Sequence, residues 1–525
     1  MSASGGPLFS IVTPVYEPPL DALRAMVRSV RSQSFEDWEL VVVDDRSPSE
    51  AVRDVLREAA REDPRVRLVE RQTNGRIVAA SNDGVEAARG EFVVLVDHDD
   101  ELAVGALARV AREIEAHPDV DYVYSDEDKI DAQGQHYDEF RKPDWSPERL
   151  RGQMYTGHLS VLRTSLVREV GAFRPGYDGS QDHDLVLRVT ERARLVRHIP
   201  EVLYHWRVVP GSAAGDANAK PYAWDAGRRA VADQMRRLGI AGTAEFGPWP
   251  GTYRVARVAD PNVTVSVVIP TRGGVGHVWG ESRCFVVEAV RSLLEHTRHP
   301  HLEIVVVYDE PTPAHVLDQL RVVAGDRLVL VPFGGPFNFS AKCNVGVLAS
   351  SGDVVILMND DVEVRSDAVV EGLIAPLSEP DVGMTGARLV FADGRLQHGG
   401  HVYANGHLAH AFTGALPDEP GPFAALKVNR ECSGLTAAFV ALRRETYDAV
   451  GGLAERLPVN FNDVDLSMKI ASAGLRMLWL ADVELYHFES QTRVPEVRPE
   501  EYLFVTRRWV IPERDRYLPT EVPRF

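Results

Sequence analysis

Over the first hundred residues, short and continuously apolar runs alternate with stretches whose apolar positions recur at helical spacing. Phe9-Ser-Ile-Val-Thr13 reads as a strand stopped by Pro14. A helix from Leu20 to Gln33 follows, with Leu23, Met26, Val27 and Val30 on one face. Leu40-Val-Val-Val43 is a second strand ending in Asp44-Asp45, a helix covers 49–61, and Val66-Arg-Leu-Val69 is a third strand. Helix 76–89 leads into Phe92-Val-Val-Leu-Val96. Strands that are apolar throughout, alternating with helices, predict a mainly parallel sheet covered on both faces.

The same order then returns. Val265-Ser-Val-Val-Ile-Pro270 matches Phe9 to Pro14, and Leu302 to Val307 before Tyr308-Asp309 matches the strand before Asp44-Asp45. Leu328 to Val331 matches the third strand, and Asn344 to Gly352 matches Asn82 to Gly90. The offset grows from roughly 256 to 282 residues, so the second copy carries insertions. Gly242, Gly247-Pro-Trp-Pro-Gly251 and Asp260-Pro-Asn262 concentrate helix and strand breakers, which places a boundary between 240 and 262. The expectation is two α/β domains in tandem, 1–250 and 251–525, because 525 residues exceed one ordinary core.

Composition narrows the function classes. With 58 Lys and Arg against 77 Asp and Glu the formal charge is -19, which argues against nucleic acid as the main partner. No apolar run approaches the ~18–20 residues that span a bilayer, and Met1-Ser-Ala-Ser-Gly-Gly lacks a signal-peptide pattern. Cys284, Cys343 and Cys432 are far apart, as a reduced compartment would leave them. A cytoplasmic protein is expected, with disorder confined to its first few residues; a peripheral contact with the inner face of the plasma membrane stays open.

The duplicated chemistry carries the functional reading. One buried-type strand runs into Asp97-His-Asp-Asp100 and another, Val354 to Met358, into Asn359-Asp-Asp361. Acids at the carboxyl end of a parallel strand sit where open α/β sheets bind ligands, and hard oxygen ligands there suit Mg²⁺ or Mn²⁺ on a diphosphate. An Asx turn is the alternative, but Asp97 and Asp99 repel each other unless a cation lies between them. Asn359 removes one charge in the second copy and leaves Asp361 as its main ligand. Downstream, Asp182-His-Asp184 and Asp463-Val-Asp465 open helices; their first acids are either N-caps or general bases for a hydroxyl nucleophile. His205 and His487 end strand-like stretches at matched spacing, as metal or diphosphate ligands or as structural residues. Asp44-Asp45 and Asp309 end the second strands, where a carboxylate reads a base or ribose or forms a turn. Four histidines between Gln397 and His410 favour a glycine-rich loop shaping the pocket over a zinc site, since no cysteine or acid lies nearby.

These stretches resemble family 2 glycosyltransferases of the GT-A fold over nearly the whole chain. Ser10-Ile-Val-Thr-Pro-Val-Tyr16, Val43-Asp-Asp-Arg-Ser47, Asn82 to Glu91 and Leu95 to Asp100 are similar to the family's nucleotide-binding half. Asp126-Glu-Asp-Lys129, Lys142 to Ser146, Gly179 to Arg188 and His198 to Arg207 are similar to its acceptor half. Asn338 to Asn344, Gly451-Gly452, Asn462 to Leu466 and Leu485 to Ser490 resemble the rhamnosyltransferase-like branch. The resemblance implies two GT-A (Rossmann-like) domains and an inverting transfer from a nucleoside-diphosphate sugar to a glycan or polyprenyl-linked glycan in surface polysaccharide synthesis. It implies Pro14, Tyr16, Asp44, Asp45, Asn82 and Asp97, with Pro270, Asp309, Asn344 and Asp360, as donor contacts. Asp97, Asp99 and His205 would hold Mn²⁺ or Mg²⁺ in the first copy and Asp361 and His487 in the second, with Asp182 and Asp463 as bases. Tyr308-Asp-Glu-Pro311 and the longer Arg272 to Ser282 loop depart from the family pattern in the expected nucleotide pocket of the second copy. One catalytic domain beside a glycan- or nucleotide-binding module, and a non-enzymatic binding scaffold, are the rival readings. A nucleotidyltransferase is disfavoured because no glycine-rich, lysine-containing loop follows Thr13.

Overall fold

The computed structural model describes residues 5–208, 221–488 and 497–518. The expected disorder of the first few residues, and Glu489 and Ser490 of the last quoted stretch, lie outside them. The chain divides into two compact units. One holds the described residues up to Ser146, Leu150–Gly239 and Ala244–Val255; the other holds Pro147–Arg149, Ile240–Thr243 and what is described from Ala256 on.

In the first unit the strand order is Val66–Glu70, Trp38–Asp44, Phe9–Val15, Phe92–Leu95, Ser160–Arg163, Tyr122–Ile130, Val196–Arg207 and Glu101–Leu102. The first four run parallel, and Ser160–Arg163 returns antiparallel to Phe92–Leu95. The second unit repeats this: Leu328–Phe333, Leu302–Asp309, Val265–Thr271, Val354–Met358, Phe439–Arg443, Val382–Val390, Arg476–His487 and Val362–Val364. Even the register agrees. Phe9 faces Trp38 and Phe92, and Val265 faces Leu302 and Val354. The α/β class with parallel-rich sheets is as expected in both halves.

The strands are apolar on both faces because both faces are covered. Ile11, Leu40, Val42 and Val94 pack on one side of the first sheet, and Val41 and Val43 meet Ala80 on the other. The helix Leu20–Arg31 buries the stripe Leu23, Met26, Val27 and Val30 that its spacing marked out. Between 240 and 262 the breakers build a hairpin rather than a bare linker: strands Gly242–Phe246 and Tyr253–Arg257 pair, with Gly247 N–H donating to the Thr252 carbonyl. Gly, Pro and Asn at a two-stranded turn look the same in sequence as those of an open connection.

Two close approaches hold the first strand of each sheet in place. A Cβ on Gly84 would lie 2.4 Å from Val12 Cγ1, and one on Gly346 would lie 2.4 Å from Val268 Cγ1. Ser10 Oγ donates to Glu39 (2.7 Å) and accepts from Gly90 N–H (2.8 Å). Ser266 repeats both bonds with Glu303 (2.7 Å) and Gly352 (2.8 Å). Gly84→Val and Gly346→Val are each expected to cost about 1–3 kcal/mol by overpacking, read as a lower urea midpoint. An unchanged midpoint would show that helix and strand can move apart freely.

Candidate active sites

The order third, second, first, fourth strand puts a switch point between the first and fourth strands, where a crevice opens at their carboxyl ends. The acidic turns follow the fourth strand of each unit and therefore sit at that crevice. In the first unit His98 Nδ1 lies 3.1 Å from the Pro14 carbonyl, and Asp97 N–H donates to Tyr204 Oη (3.2 Å). Asp100 is almost wholly buried; its carboxylate accepts from Tyr204 Oη (2.6 Å) and from Arg207 N–H (2.7 Å). Burial, reinforced by the charges of Asp97 and Asp99, raises the Asp100 carboxyl well above the ordinary range. Asp99 is raised as well, by burial and by Asp97, with His98 opposing.

The acid–imidazole groups that converge here differ from the expected trio of Asp97, Asp99 and His205. Ligand atoms of Asp97, Asp100 and His158 lie within 4.8 Å of one another, and the His158 ring stacks on Tyr204 at 4.5 Å. His205 is engaged elsewhere: its Nδ1 is 2.6 Å from Asp128, whose other oxygen is 3.0 Å from His136 Nδ1. The reason is register, since Asp128 faces His205 across the parallel pair of strands Tyr122–Ile130 and Val196–Arg207. His158 carries no signal in the sequence; only tertiary packing brings it to the acids.

In the second unit the expected residues do meet. His487 Nε2 is 3.2 Å from Asp361 Oδ1 and 3.2 Å from Asn359 Nδ2, while its Nδ1 is 2.6 Å from Gln397 Oε1. An amide oxygen only accepts, so Gln397 fixes a hydrogen on Nδ1 of His487 and orients the ring with Nε2 toward Asp361. Asn359 Oδ1 is buried and has no hydrogen-bond partner among the described residues. A carboxylate, an imidazole nitrogen and an unpaired amide oxygen form a donor set that suits Mn²⁺ better than Ca²⁺. Burial opposes the charge of Asp361, yet His487 holds its carboxyl below the usual range. Neighbouring Asp360 goes the other way: burial and the Asp361 charge push it up to about 7, with Thr271 Oγ1 donating to it at 2.6 Å.

The strand-end acids are held in different ways. Asp44 accepts from Ser47 N–H (3.0 Å), a turn. Asp45 accepts from Gly75 N–H (2.8 Å) and Arg71 through Oδ1, while its buried Oδ2 has no hydrogen-bond partner among the described residues. Pro14 and Val15 run on past the end of the fourth strand, and Tyr16 beyond them is half-exposed. In the second unit Pro270 and Thr271 do the same. Asp309 meets the wholly buried Lys342, whose Nζ donates to it (2.8 Å) and to the Thr271 carbonyl (2.6 Å).

Asn82 and Asn344, expected as donor contacts, are each bonded to a loop backbone. Asn82 spans Phe173, donating to its carbonyl and accepting its N–H, both at 2.9 Å. Asn344 does the same to Leu453 at 3.0 and 3.1 Å. Each amide latches the loop that carries Phe173 or Leu453 to its own helix, Arg76–Ala87 or Phe339–Ala349. The Arg272 to Ser282 loop contains a hairpin whose Trp279 packs on Tyr486 and Phe488, the neighbours of His487 in the chain.

Neither Asp182 nor Asp463 is an N-cap. Ser180 and Phe461 occupy those places, and each acid accepts from the following N–H, at 2.8 Å. The second acids are structural. Buried Asp184 is clamped by Arg174 and Arg188, and buried Asp465 by Lys469, Arg508 and Trp509. Spending the second acid on packing leaves the first half-buried at the start of a rigid helix.

The model of "Glycosyl transferase family 2" matches residues 10–171 and again 266–451, more than half of the chain. The chain belongs to glycosyltransferase family 2. The chain is 42% identical over 519 residues to the uncharacterized protein y4gI of Sinorhizobium fredii, covering 96% of this chain and 56% of that protein. It is 35% identical over 518 residues to the O-antigen biosynthesis protein RfbC of Myxococcus xanthus, covering 97% of this chain and 40% of that one. This family 2 glycosyltransferase chain thus spans about half the length of the curated relatives it matches. A crystal structure of S. aureus TarS 1-349 overlays with a TM-score of 0.35 and 20% identity over 43% of this chain and 65% of that one, too low to bear on the sites.

The raised Asp360 carboxyl makes a pH prediction. Its unfolded form ionises near 3.8 and its folded form near 7. Folding is therefore progressively disfavoured as pH rises between those values, and the loss levels off above them. Asp360→Asn should remove that slope, so its urea midpoint should gain on the wild type from pH 4 to 7. Parallel pH profiles for the two proteins would contradict the assignment.

Proposed function

We propose that the chain is a bifunctional glycosyltransferase with one inverting, metal-assisted site in each half, in domains 1–250 and 251–525. The observation that carries this reading is the repeated placement of an acid–imidazole cluster at the same switch point of two sheets with the same strand order. The donor is a nucleoside-diphosphate sugar and the acceptor a glycan, lipid-linked in the surface-polysaccharide setting that the RfbC relative's name suggests. A site at the inner face of the plasma membrane fits such an acceptor, and no helix among the described residues is long and apolar enough to cross a membrane.

In the first half Asp97, with Asp100, Asp99 and His158 around it, would hold the cation; His205 would approach only by leaving Asp128. In the second, Asn359, Asp361 and His487 would hold it. Bound there, Mn²⁺ or Mg²⁺ neutralises the leaving diphosphate. Asp45, whose Oδ2 has no hydrogen-bond partner among the described residues, would accept from a nucleotide base at the end of the second strand. Asp182 and Asp463 take the proton from the acceptor hydroxyl as its oxygen bonds to the anomeric carbon and the bond to the diphosphate oxygen breaks.

One observation favours the reading in which only the first half transfers sugar. Asp309, the counterpart of the Asp44-Asp45 region, meets Lys342 through Oδ1 and Arg272 (3.7 Å) through Oδ2, whereas Asp45 meets Arg71 through Oδ1 only. Two single variants separate the readings. Asp182→Asn and Asp463→Asn should each lower formation of one distinct linkage by about 10²–10⁴-fold in product analysis by mass spectrometry. If one variant leaves every linkage unchanged, bifunctionality fails. Mn²⁺ should raise the melting temperature of the wild type, and Asp361→Asn should lose the share of that rise belonging to the second half. A full rise in that variant would count against the second cation site.

A further inference from the structure

A second cluster of metal-ligating side chains lies in the first unit, outside the set of Asp97, Asp100 and His158. Ligand atoms of Asp128, His136 and His205 lie within 4.8 Å of one another. Three neighbouring strands supply them. Tyr122–Ile130 carries Asp128 and pairs both with His136–Phe140 and with Val196–Arg207. Asp128 stands directly across from His205, and His136 stands across from Ile130, two residues after Asp128. Side chains two apart on a strand share a face, so the three form one row across these strands. The matching ladder of the second unit sets Leu389 against Leu485 and Val390 against Tyr486, so this row belongs to the first unit.

Hydrogen bonds aim both rings at one carboxylate. His205 Nδ1 is 2.6 Å from Asp128 Oδ1, and His136 Nδ1 is 3.0 Å from Asp128 Oδ2. The rings meet edge to face with centroids 4.3 Å apart. A carboxylate oxygen only accepts, so each Nδ1 carries a hydrogen here. Asp128 and His205 are largely covered while His136 is half-exposed, which opens the row to water. Two ligands of one Zn²⁺ stand roughly 3.3 Å apart, so a cation enters by a small outward turn of the rings. The hydrogens then pass through water from Nδ1 to Nε2, and both rings bind as neutral donors. No protein hydrogen bond engages either Nε2 among the described residues. The histidines of the second unit are less free to do this. His398, His401 and His410 converge as closely, but Thr436 N–H donates to His398 Nε2 (3.2 Å). The hydrogen of that ring is thereby held on the Nδ1 that faces His410 Nδ1 at 2.8 Å.

We propose that Asp128, His136 and His205 form a zinc site that clasps the hairpin of strands Tyr122–Ile130 and His136–Phe140 to the strand Val196–Arg207. Two imidazoles and one carboxylate suit Zn²⁺ over Mg²⁺ or Ca²⁺, which take oxygen ligands, and water completes the coordination. Tyr204 and Arg207 stand on either side of His205 in the chain, and both donate to Asp100 (2.6 and 2.7 Å). The ion thus braces the strand on which the acidic turn of the first unit depends. It is separate from the donor cations, and His205, held by it, stays out of their coordination.

The test is equilibrium dialysis of the full, metal-stripped chain against ZnCl2 with MgCl2 in excess, the bound zinc being read by mass spectrometry. Losing a residue that only orients a metal ligand costs about 10–100-fold in affinity. His136→Ala, which removes a ligand, should therefore weaken the tightest-bound zinc by at least about tenfold, and His410→Ala should leave it unchanged. Zn²⁺ should also raise the melting temperature of the wild type more than that of His136→Ala. His136 is half-exposed, so the variant is expected to fold, which its metal-free melting temperature checks. His136→Gln carries the same expectation should the alanine variant not fold. A wild-type chain that takes up no zinc would overturn the site, as would a His136 variant that binds it with unchanged affinity. Loss of the tightest zinc in His410→Ala alone would overturn it too, by placing the ion among the histidines of the second unit. None of these readouts involves a sugar donor, so they can fail without touching the transfer reading.

Discussion

Carboxylates crowded out of water at the ends of parallel strands are the constraint on which both sites depend. Each fourth strand is buried on both faces, so the acids that follow it enter a region of low dielectric beside like charges. Such a cluster is stable only where donors or protons compensate it. In the first unit Tyr204 and the Arg207 N–H supply Asp100, and in the second Thr271 supplies Asp360 and His487 supplies Asp361. The long strands Val196–Arg207 and Arg476–His487 bring Tyr204, Arg207 and His487 to these acids, while Thr271 ends the strand Val265–Thr271. The site and the sheet topology are one arrangement.

Duplication preserved the frame more faithfully than the chemistry. Ser10 with Gly90 and Ser266 with Gly352, Gly84 and Gly346, and the Asn82 and Asn344 latches are nearly superimposable in role. Around that frame the polar groups diverge. Asp45 keeps an open oxygen while Asp309 is held by Lys342. The imidazole beside the acids is His158 in one unit and His487 in the other. Packing constraints act on every member of a close-packed layer, whereas a polar site can exchange one donor for another so long as each buried atom finds a partner.

Periodicity alone located the first four strands of each sheet, the helices between them in the first unit and the two acidic turns, because a continuous apolar run closed by acids has few structural solutions in a parallel sheet; it does not mark Tyr122–Ile130 and Ser160–Arg163 or their counterparts Val382–Val390 and Phe439–Arg443. It also separated Asp182 and Asp463 as a matched pair. It could not tell the N-cap from the free acid, since Ser180 and Phe461 take the capping place only once the preceding loop is fixed. Nor could it find the hairpin at 240–262, whose turn residues are those of any connection.

What the sequence determined by itself was the family, the α/β class, the repeat and the residue types gathered at each strand end. Tertiary structure decided which side chains meet: Asp97 with Asp100 and His158, and His205 with Asp128 and His136. The physical reason is that strand and helix patterns are set by local burial, which each residue carries in its own chemistry. Hydrogen-bond partners are set by register across strands far apart in the chain, and a shift of one residue there sends a side chain to the opposite face.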